Sequence, residues 1–288
     1  MASSAVGTPT QCGAPFSPST SVSALDAAAF PLAALPGFFV QGDLDTTDPQ
    51  HYAPRLGLLP KQTWSSIDAS LDTHQAKLLI FLRHGEALHN ADKARVGVEA
   101  WETQYQFMPD YIDAPLTSLG IQQAVNAGEM LEDELRQNGL SIDLVVVSPL
   151  DRTLYTFMNA CGKLPLDAPV ISMEIARETL GVCPCDQRKP TQPKREAFPS
   201  IDFTCVPNAD DEWWRADHRE SDDEIDARAR HFIQQIFATR REKRILIVTH
   251  SGFTRACLRV LGHRYYRPAN GEFVPVVVGK KRRLSDEL

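Results

Sequence analysis

Two short apolar runs each deliver a histidine onto a glycine-containing turn. Leu78-Leu79-Ile80-Phe81-Leu82 runs into Arg83-His84-Gly85-Glu86, and Ile245-Leu246-Ile247-Val248-Thr249 runs into His250-Ser251-Gly252. A neutral imidazole can attack phosphorus and carry the phosphoryl group, which divides one hard displacement into two easier ones. A guanidinium beside it can hold phosphoryl oxygens through forked, charge-assisted hydrogen bonds. Arg83-His84 therefore reads as a phosphate site with its nucleophile, His84, inside it. A lone Arg-His-Gly is more often a satisfied loop histidine, so the reading rests on what accompanies it. Ser148-Pro149-Leu150-Asp151-Arg152-Thr153 follows a third apolar run and opens a helix, where backbone N–H groups and the helix dipole favour an anion. Arg152 would then be a second guanidinium on the same group. His250 could stabilise charge on the phosphoryl oxygens, which is most of what phosphoryl transfer asks of a protein. Glu178, in Ala176-Arg177-Glu178-Thr179-Leu180-Gly181, could protonate the leaving oxygen and later deprotonate water. Spacing alone leaves a solvated loop glutamate equally open there. Asn90 could donate a further hydrogen bond.

These side chains need a scaffold that brings distant turns together. Residues 77–82, Leu144–Val147, Val170–Met173 and 245–249 read as buried strands. Helices are expected over 118–137, capped by Ser118, from Pro149 to about Cys161, from Ser221 with Glu224 completing a capping box, and over Phe253–Leu261. Val274–Val278 reads as an edge strand. The alternation implies a three-layer α/β/α sandwich with a mostly parallel central sheet. In such sheets ligands bind at the carboxyl edge, where both histidines would sit. Residues 1–35, rich in Ala, Ser, Thr and Pro, read as a loosely ordered arm. Residues 36–270 read as one domain with cap insertions at about 91–112 and 181–221, and 271–288 as an edge strand with a basic tail. The 181–221 stretch is long for a loop, and long loops are often functional lids. Its Arg188, Lys189, Lys194 and Arg195 could bind a second phosphate, although a solvated loop is the more ordinary use of such residues.

The 288 residues are 43% hydrophobic and 23% charged, as in an ordinary globular protein. A net charge of -7 argues against a nucleic-acid binder, which is usually basic. No apolar stretch approaches a membrane span. The N-terminus lacks the Lys or Arg of a signal peptide, so Ser285-Asp286-Glu287-Leu288 is read as a coincidental likeness to an ER-retention address. Six scattered cysteines do not form a disulfide framework, and Cys183-Pro184-Cys185 is too tightly spaced for paired zinc ligands. The expectation is reduced thiols in the cytoplasm. A nuclear location stays open through Lys280-Lys281-Arg282-Arg283.

Arg83-His84-Gly85-Glu86, the stretch Asp113 to Ala124, Ser148 to Thr153 and Val248 to Gly252 together resemble the histidine phosphatase superfamily. More closely they resemble its phosphoglycerate mutase-like branch of fungi and plants. Arg177 to Val182, followed by Cys185-Asp186 and Arg188, is similar to that branch's acid/base segment, and so is Asp217 to Glu224 before a helix. The similarity covers about residues 77–265 in family order. It implies a phosphohistidine on His84, a pocket completed by Arg83, Arg152 and His250, and a proton donor at Glu178. Asn90 matches a position that often helps bind phosphate, but Leu88-His89 before it is not the usual mutase wording. The implied chemistry needs no metal or cofactor.

The expected function is a phosphatase acting on a phosphomonoester or diphosphate of a small molecule. A phosphoglycerate-type phosphomutase and a catalytically weak phospho-ligand-binding protein are the alternatives. A mutase must exclude water where a phosphatase admits it, and that difference lies in the lid. Trp101, Tyr105 and Phe107 suggest a substrate with an apolar body, although core packing is the commoner use of any one of them. The oligomeric state is not legible. His84 must be unprotonated to attack, so activity should fall in acid unless neighbours depress its pKa.

Overall fold

The computed structural model describes residues 12, 16, 30–45 and 51–281. The apolar runs become strands because their residues can be buried on both faces. Seven strands form one sheet: β1 (Leu32–Leu35), β2 (Lys77–Arg83), β3 (Leu144–Val147), β4 (Val170–Met173), β5 (Asp202–Cys205), β6 (Arg244–Thr249) and β7 (Phe273–Lys280). Their order is β1-β7-β2-β6-β3-β4-β5. The β2, β6, β3, β4 and β5 strands pair in parallel, and β7 runs antiparallel to both β1 and β2.

Side chains alternate between the two faces, as strand geometry requires. Leu78, Ile80 and Leu82 join one core with α1 (Trp64–Thr73), α4 (Ser118–Gln137) and α5 (Asp151–Cys161). Leu79 and Phe81 join the other with α7 (Asp222–Thr239) and α8 (Ser251–Val260). Three layers result, as expected. Between α1 and α4 lie α2 (Leu88–Val96) and α3 (Val98–Thr103), and α6 (Thr191–Ala197) precedes β5. Ser221 caps α7, with Glu224 returning the bond. For α4 the capping residue is Thr117, one position before the expected serine.

Four expectations are corrected. The 273–280 strand is internal rather than an edge, because Leu32–Leu35, read as the end of a loose arm, pairs along its outer side. The 181–221 segment is not a structureless lid: it contains α6 and adds β5 to the sheet. Two of its four basic residues are neither solvated, as the ordinary reading had it, nor free for a second phosphate. Arg188 is buried on Glu174 and a ring of carbonyls, and Lys194 lies between Asp113 and Asp151. The thiols are not all reduced, since Cys12 and Cys205 form a disulfide, while Cys161, Cys183, Cys185 and Cys257 are free. The paired cysteines stand 193 residues apart, so spacing carried no sign of the bond. The terminal Ser285–Leu288 and the Arg282-Arg283 end of the basic cluster lie outside the described residues. No helix among the described residues is long and apolar enough to cross a membrane.

Candidate active site

Parallel pairing of β2 with β6 sets Arg83 opposite Thr249, so the next residue on each strand is a histidine at the same carboxyl edge. The His84 N–H extends that ladder by donating to the Thr249 carbonyl at 3.0 Å. The two rings meet edge to face, with centroids 5.1 Å apart. Gly85 is required at this turn because the loop touches the start of α4. A Cβ there would stand 2.1 Å from the Gly120 carbonyl oxygen, and one on Gly120 would stand 2.0 Å from that of Glu86. The Thr156 hydroxyl ties the same loop to α5, accepting from Gly85 N at 3.0 Å and donating to the Arg152 carbonyl at 2.6 Å.

His84 is buried, and its Nδ1 lies 2.6 Å from the Gly85 carbonyl. A carbonyl only accepts, so Nδ1 carries the proton and Nε2 keeps its lone pair. Burial, then the charges of Arg152 and Arg83, hold the His84 pKa well below the usual imidazole value. The neighbours thus keep His84 neutral into acid.

Arg83 donates Nη1 to the Pro268 carbonyl at 2.9 Å, while its buried Nε has no partner. Burial and the like charge of Arg267 lower its pKa to about 10 against the pull of Glu178, which leaves it cationic at neutral pH. Arg152, fully buried in the first turn of α5, donates to His250 Nδ1 at 3.2 Å, to the Cys185 carbonyl, and to Asp186 at 3.0 Å. Five N–H groups on a guanidinium leave two more. Asp186 also binds Arg219 at 2.8 Å, so one buried carboxylate positions two arginines. Sequence reasoning had no sign of this role for Asp186.

His250 accepts from Arg152 at Nδ1 and meets Ser148 Oγ at Nε2, 2.8 Å away. Both ring nitrogens are engaged by the protein, and burial followed by the Arg152 charge depresses its pKa strongly. Through Nδ1 the ring also bears on the orientation of Arg152.

Glu178 enters the same cluster from the turn after β4. Its carboxylate accepts from Thr179 N at 2.9 Å and Gly252 N at 3.0 Å. Burial raises its pKa, but these two N–H groups, with Arg152 and Arg219, outweigh it and leave the carboxylate below its usual value. Gly252 permits the contact, since a Cβ would fall 2.0 Å from Glu178 Oε1. Behind it, the buried Arg228 binds Glu220 and the carbonyls of Ile175, Arg177 and Glu178.

Asn90 uses its Oδ1 to accept from Ala87 N at 3.1 Å at the start of α2, which leaves only its amide nitrogen for a ligand. Its neighbour His89, five residues after the nucleophile candidate, places its ring 6.1 Å from that of His84. In the sequence, His89 shows only as a departure from the usual mutase wording. Trp101 packs on Tyr111 in a small apolar cluster with Ala114 and Cys185, so this aromatic builds the cap rather than a substrate wall. Among the described residues no group of three His, Cys, Asp or Glu side chains could hold a metal ion.

A model of the histidine phosphatase superfamily (branch 1) matches residues 79–269. The chain belongs to this superfamily. The matched span runs from the middle of β2 to the segment that covers Arg83, and so includes the candidate residues His84, Arg83, Arg152, Glu178 and His250. The chain is similar to "Phosphoglycerate mutase-like protein 1" of Arabidopsis thaliana, at 35% identity over 216 residues, 65% of this chain and 73% of that one. It is similar to "Phosphomutase-like protein 3" of Candida albicans, at 32% identity over 237 residues, 80% and 74% of the two chains. Among solved structures, the alpha-ribazole phosphatase of Shigella flexneri matches with a TM-score of 0.43 and 22% identity, over 69% of this chain and 89% of that one.

Proposed function

We propose that this protein is a phosphatase that hydrolyses a phosphomonoester or diphosphate of a small molecule through a phosphohistidine on His84. The supporting observation is the 2.6 Å bond from His84 Nδ1 to the Gly85 carbonyl, which leaves the Nε2 lone pair beside two desolvated guanidinium groups. In the first step Nε2 attacks phosphorus, the bond from phosphorus to the leaving oxygen breaks, and Glu178 gives that oxygen a proton. Arg83 and the two remaining N–H groups of Arg152 stabilise the charge on the phosphoryl oxygens. In the second step water attacks phosphorus, Glu178 takes its proton, and the bond to Nε2 breaks. His250 acts through Arg152, which it holds in place.

The test is phosphate release across sugar phosphates, nucleotides, phosphoglycerates, isoprenyl diphosphates and phosphopeptides, with His84→Ala in parallel. Wild type should release phosphate from at least one small molecule and form an acid-labile, alkali-stable phosphoenzyme; His84→Ala should do neither. Interconversion of phosphoglycerates without release would replace the phosphatase by a mutase. An unaltered rate in His84→Ala would overturn the assignment of the nucleophile.

A further inference from the structure

Three residues in or adjoining the site carry a buried polar atom with no hydrogen-bond partner: Arg83 at Nε, His89 at Nδ1 and Ser251 at Oγ. Buried polar atoms in folded proteins are nearly always satisfied, so each exception calls for an explanation. Arg83 already has one in the anion it would hold. His89 does not.

His89 lies in the first turn of α2, and its ring is tilted 53° to that of His84. The nucleophile candidate therefore has two imidazole neighbours, His250 and His89. The three rings are treated differently. His250 has both nitrogens engaged, and His84 has its Nδ1 on a carbonyl. Burial first, and then the charges of Arg152, Arg83 and Lys93, hold the His89 pKa well below the usual imidazole value. A neutral ring with an unanswered buried nitrogen, within reach of the charges of Arg152, Arg83 and Lys93, has the properties of a group waiting for an anion. Phosphoryl oxygens of a dianion only accept, so the nitrogen that meets them must be the protonated one.

We propose that His89 is a substrate-contacting residue whose Nδ1–H donates to a phosphoryl oxygen beside His84 when the anion is bound. The proposal rests on the phosphoryl-transfer reading of the site and adds a donor to it. Asn90, the adjacent residue, uses its oxygen within the helix start and can supply at most its amide. His89 is thus the better-placed side chain of the pair.

The experiment measures orthovanadate binding by calorimetry and kcat/KM for the best substrate in wild type, His89→Ala, His89→Gln and His84→Ala. The His89→Ala variant should bind vanadate at least tenfold more weakly and lose tenfold to a hundredfold in kcat/KM. The His89→Gln variant, which keeps an N–H donor, should recover part of both. Thermal midpoints should be little changed, since no hydrogen bond at Nδ1 is lost; should His89→Ala fail to fold, His89→Gln against wild type decides the matter by a smaller loss in both quantities. Vanadate affinity and kcat/KM within twofold of wild type in His89→Ala, with His84→Ala inactive, would overturn the proposal and leave the phosphohistidine reading standing. Equal losses in both His89 variants would also overturn it, because shape rather than a donor would then matter. His89-dependent vanadate binding by a wild type that hydrolyses nothing would uphold His89 and remove the phosphatase reading. A wild type that binds no vanadate would remove both.

Discussion

Gly252→Ala should cripple proton transfer while leaving the fold intact. The added Cβ would stand 2.0 Å from Glu178 Oε1 and 2.7 Å from Thr179 Oγ1. Real Cβ atoms essentially never come within 3.0 Å of another atom, so the carboxylate must retreat by about 1 Å. Displacement on that scale costs on the order of 10²-fold in rate, or about 2.7 kcal/mol of transition-state stabilisation. The backbone of Gly252 is within α8 and has no positive φ, so alanine suits the helix, and the thermal midpoint should move by no more than a few degrees. The assay is kcat/KM, which reports the steps up to phosphoenzyme formation, for two substrates. An alkyl phosphomonoester needs its leaving oxygen protonated and should lose the full factor. The p-nitrophenyl ester expels a stable phenolate and should lose less than about tenfold. Equal losses for both substrates would refute Glu178 as the proton donor. No loss in either would refute the geometric argument itself.

Two further outcomes are expected. The pKa directions place the active protonation states in acid: His84 stays neutral well below the usual imidazole value, while protonated Glu178 becomes a shrinking minority as pH rises above its depressed pKa. After correction for substrate ionisation, kcat/KM for an alkyl ester should therefore fall with rising pH from about pH 5 upward; a profile that rises from pH 5 to 8 would contradict the assignment of Glu178 as acid. Arg228→Met strips Glu220 of a buried partner held at 2.6 Å and leaves three carbonyls unanswered, so unfolding in urea should show a loss of about 3–5 kcal/mol. A loss below about 1 kcal/mol would mean that the buried network is not what fixes the Glu178 turn.

The parts of this molecule that could be read in advance are those governed by local pattern. Buried parallel strands are continuous apolar runs, so β2, β3, β4 and β6 stood out, and the residues at their carboxyl ends followed. Glycines beside the histidines were visible, but their purpose needed the third dimension: Gly85 meets α4, and Gly252 makes room for a carboxylate. What stayed hidden depends on partners far along the chain. Lys194 looked like a loop cation because Asp113, its buried counter-charge, lies 81 residues away. The β5 strand has only four residues, too few for an alternating pattern to show among prolines and charges. The inner position of β7 follows from β1, an Ala-Leu stretch with weak strand signal, and the tie from Cys12 to Cys205 leaves no local trace. At the site, the roles of His89 and Asp186, both visible as residues, were illegible for a related reason. Their significance lies in what each touches, or fails to touch, and a motif records only residue type.

The order of the sheet has a consequence for biosynthesis. A strand at the heart of the molecule, β2, carries the nucleophile candidate at its end, yet one of its two neighbours is β7, with Leu82 beside Phe273, about 190 residues later. The other, β6, also arrives late, with Phe81 beside Ile247. While the chain is being made, Leu78–Leu82 is therefore an apolar ribbon with neither of its native neighbours yet present. Such a ribbon is the kind of surface that chaperones bind and that aggregates in their absence. The two strands that flank the one ending in His84 are among the last to be made, so a nascent chain should assemble the candidate site only near the end of folding.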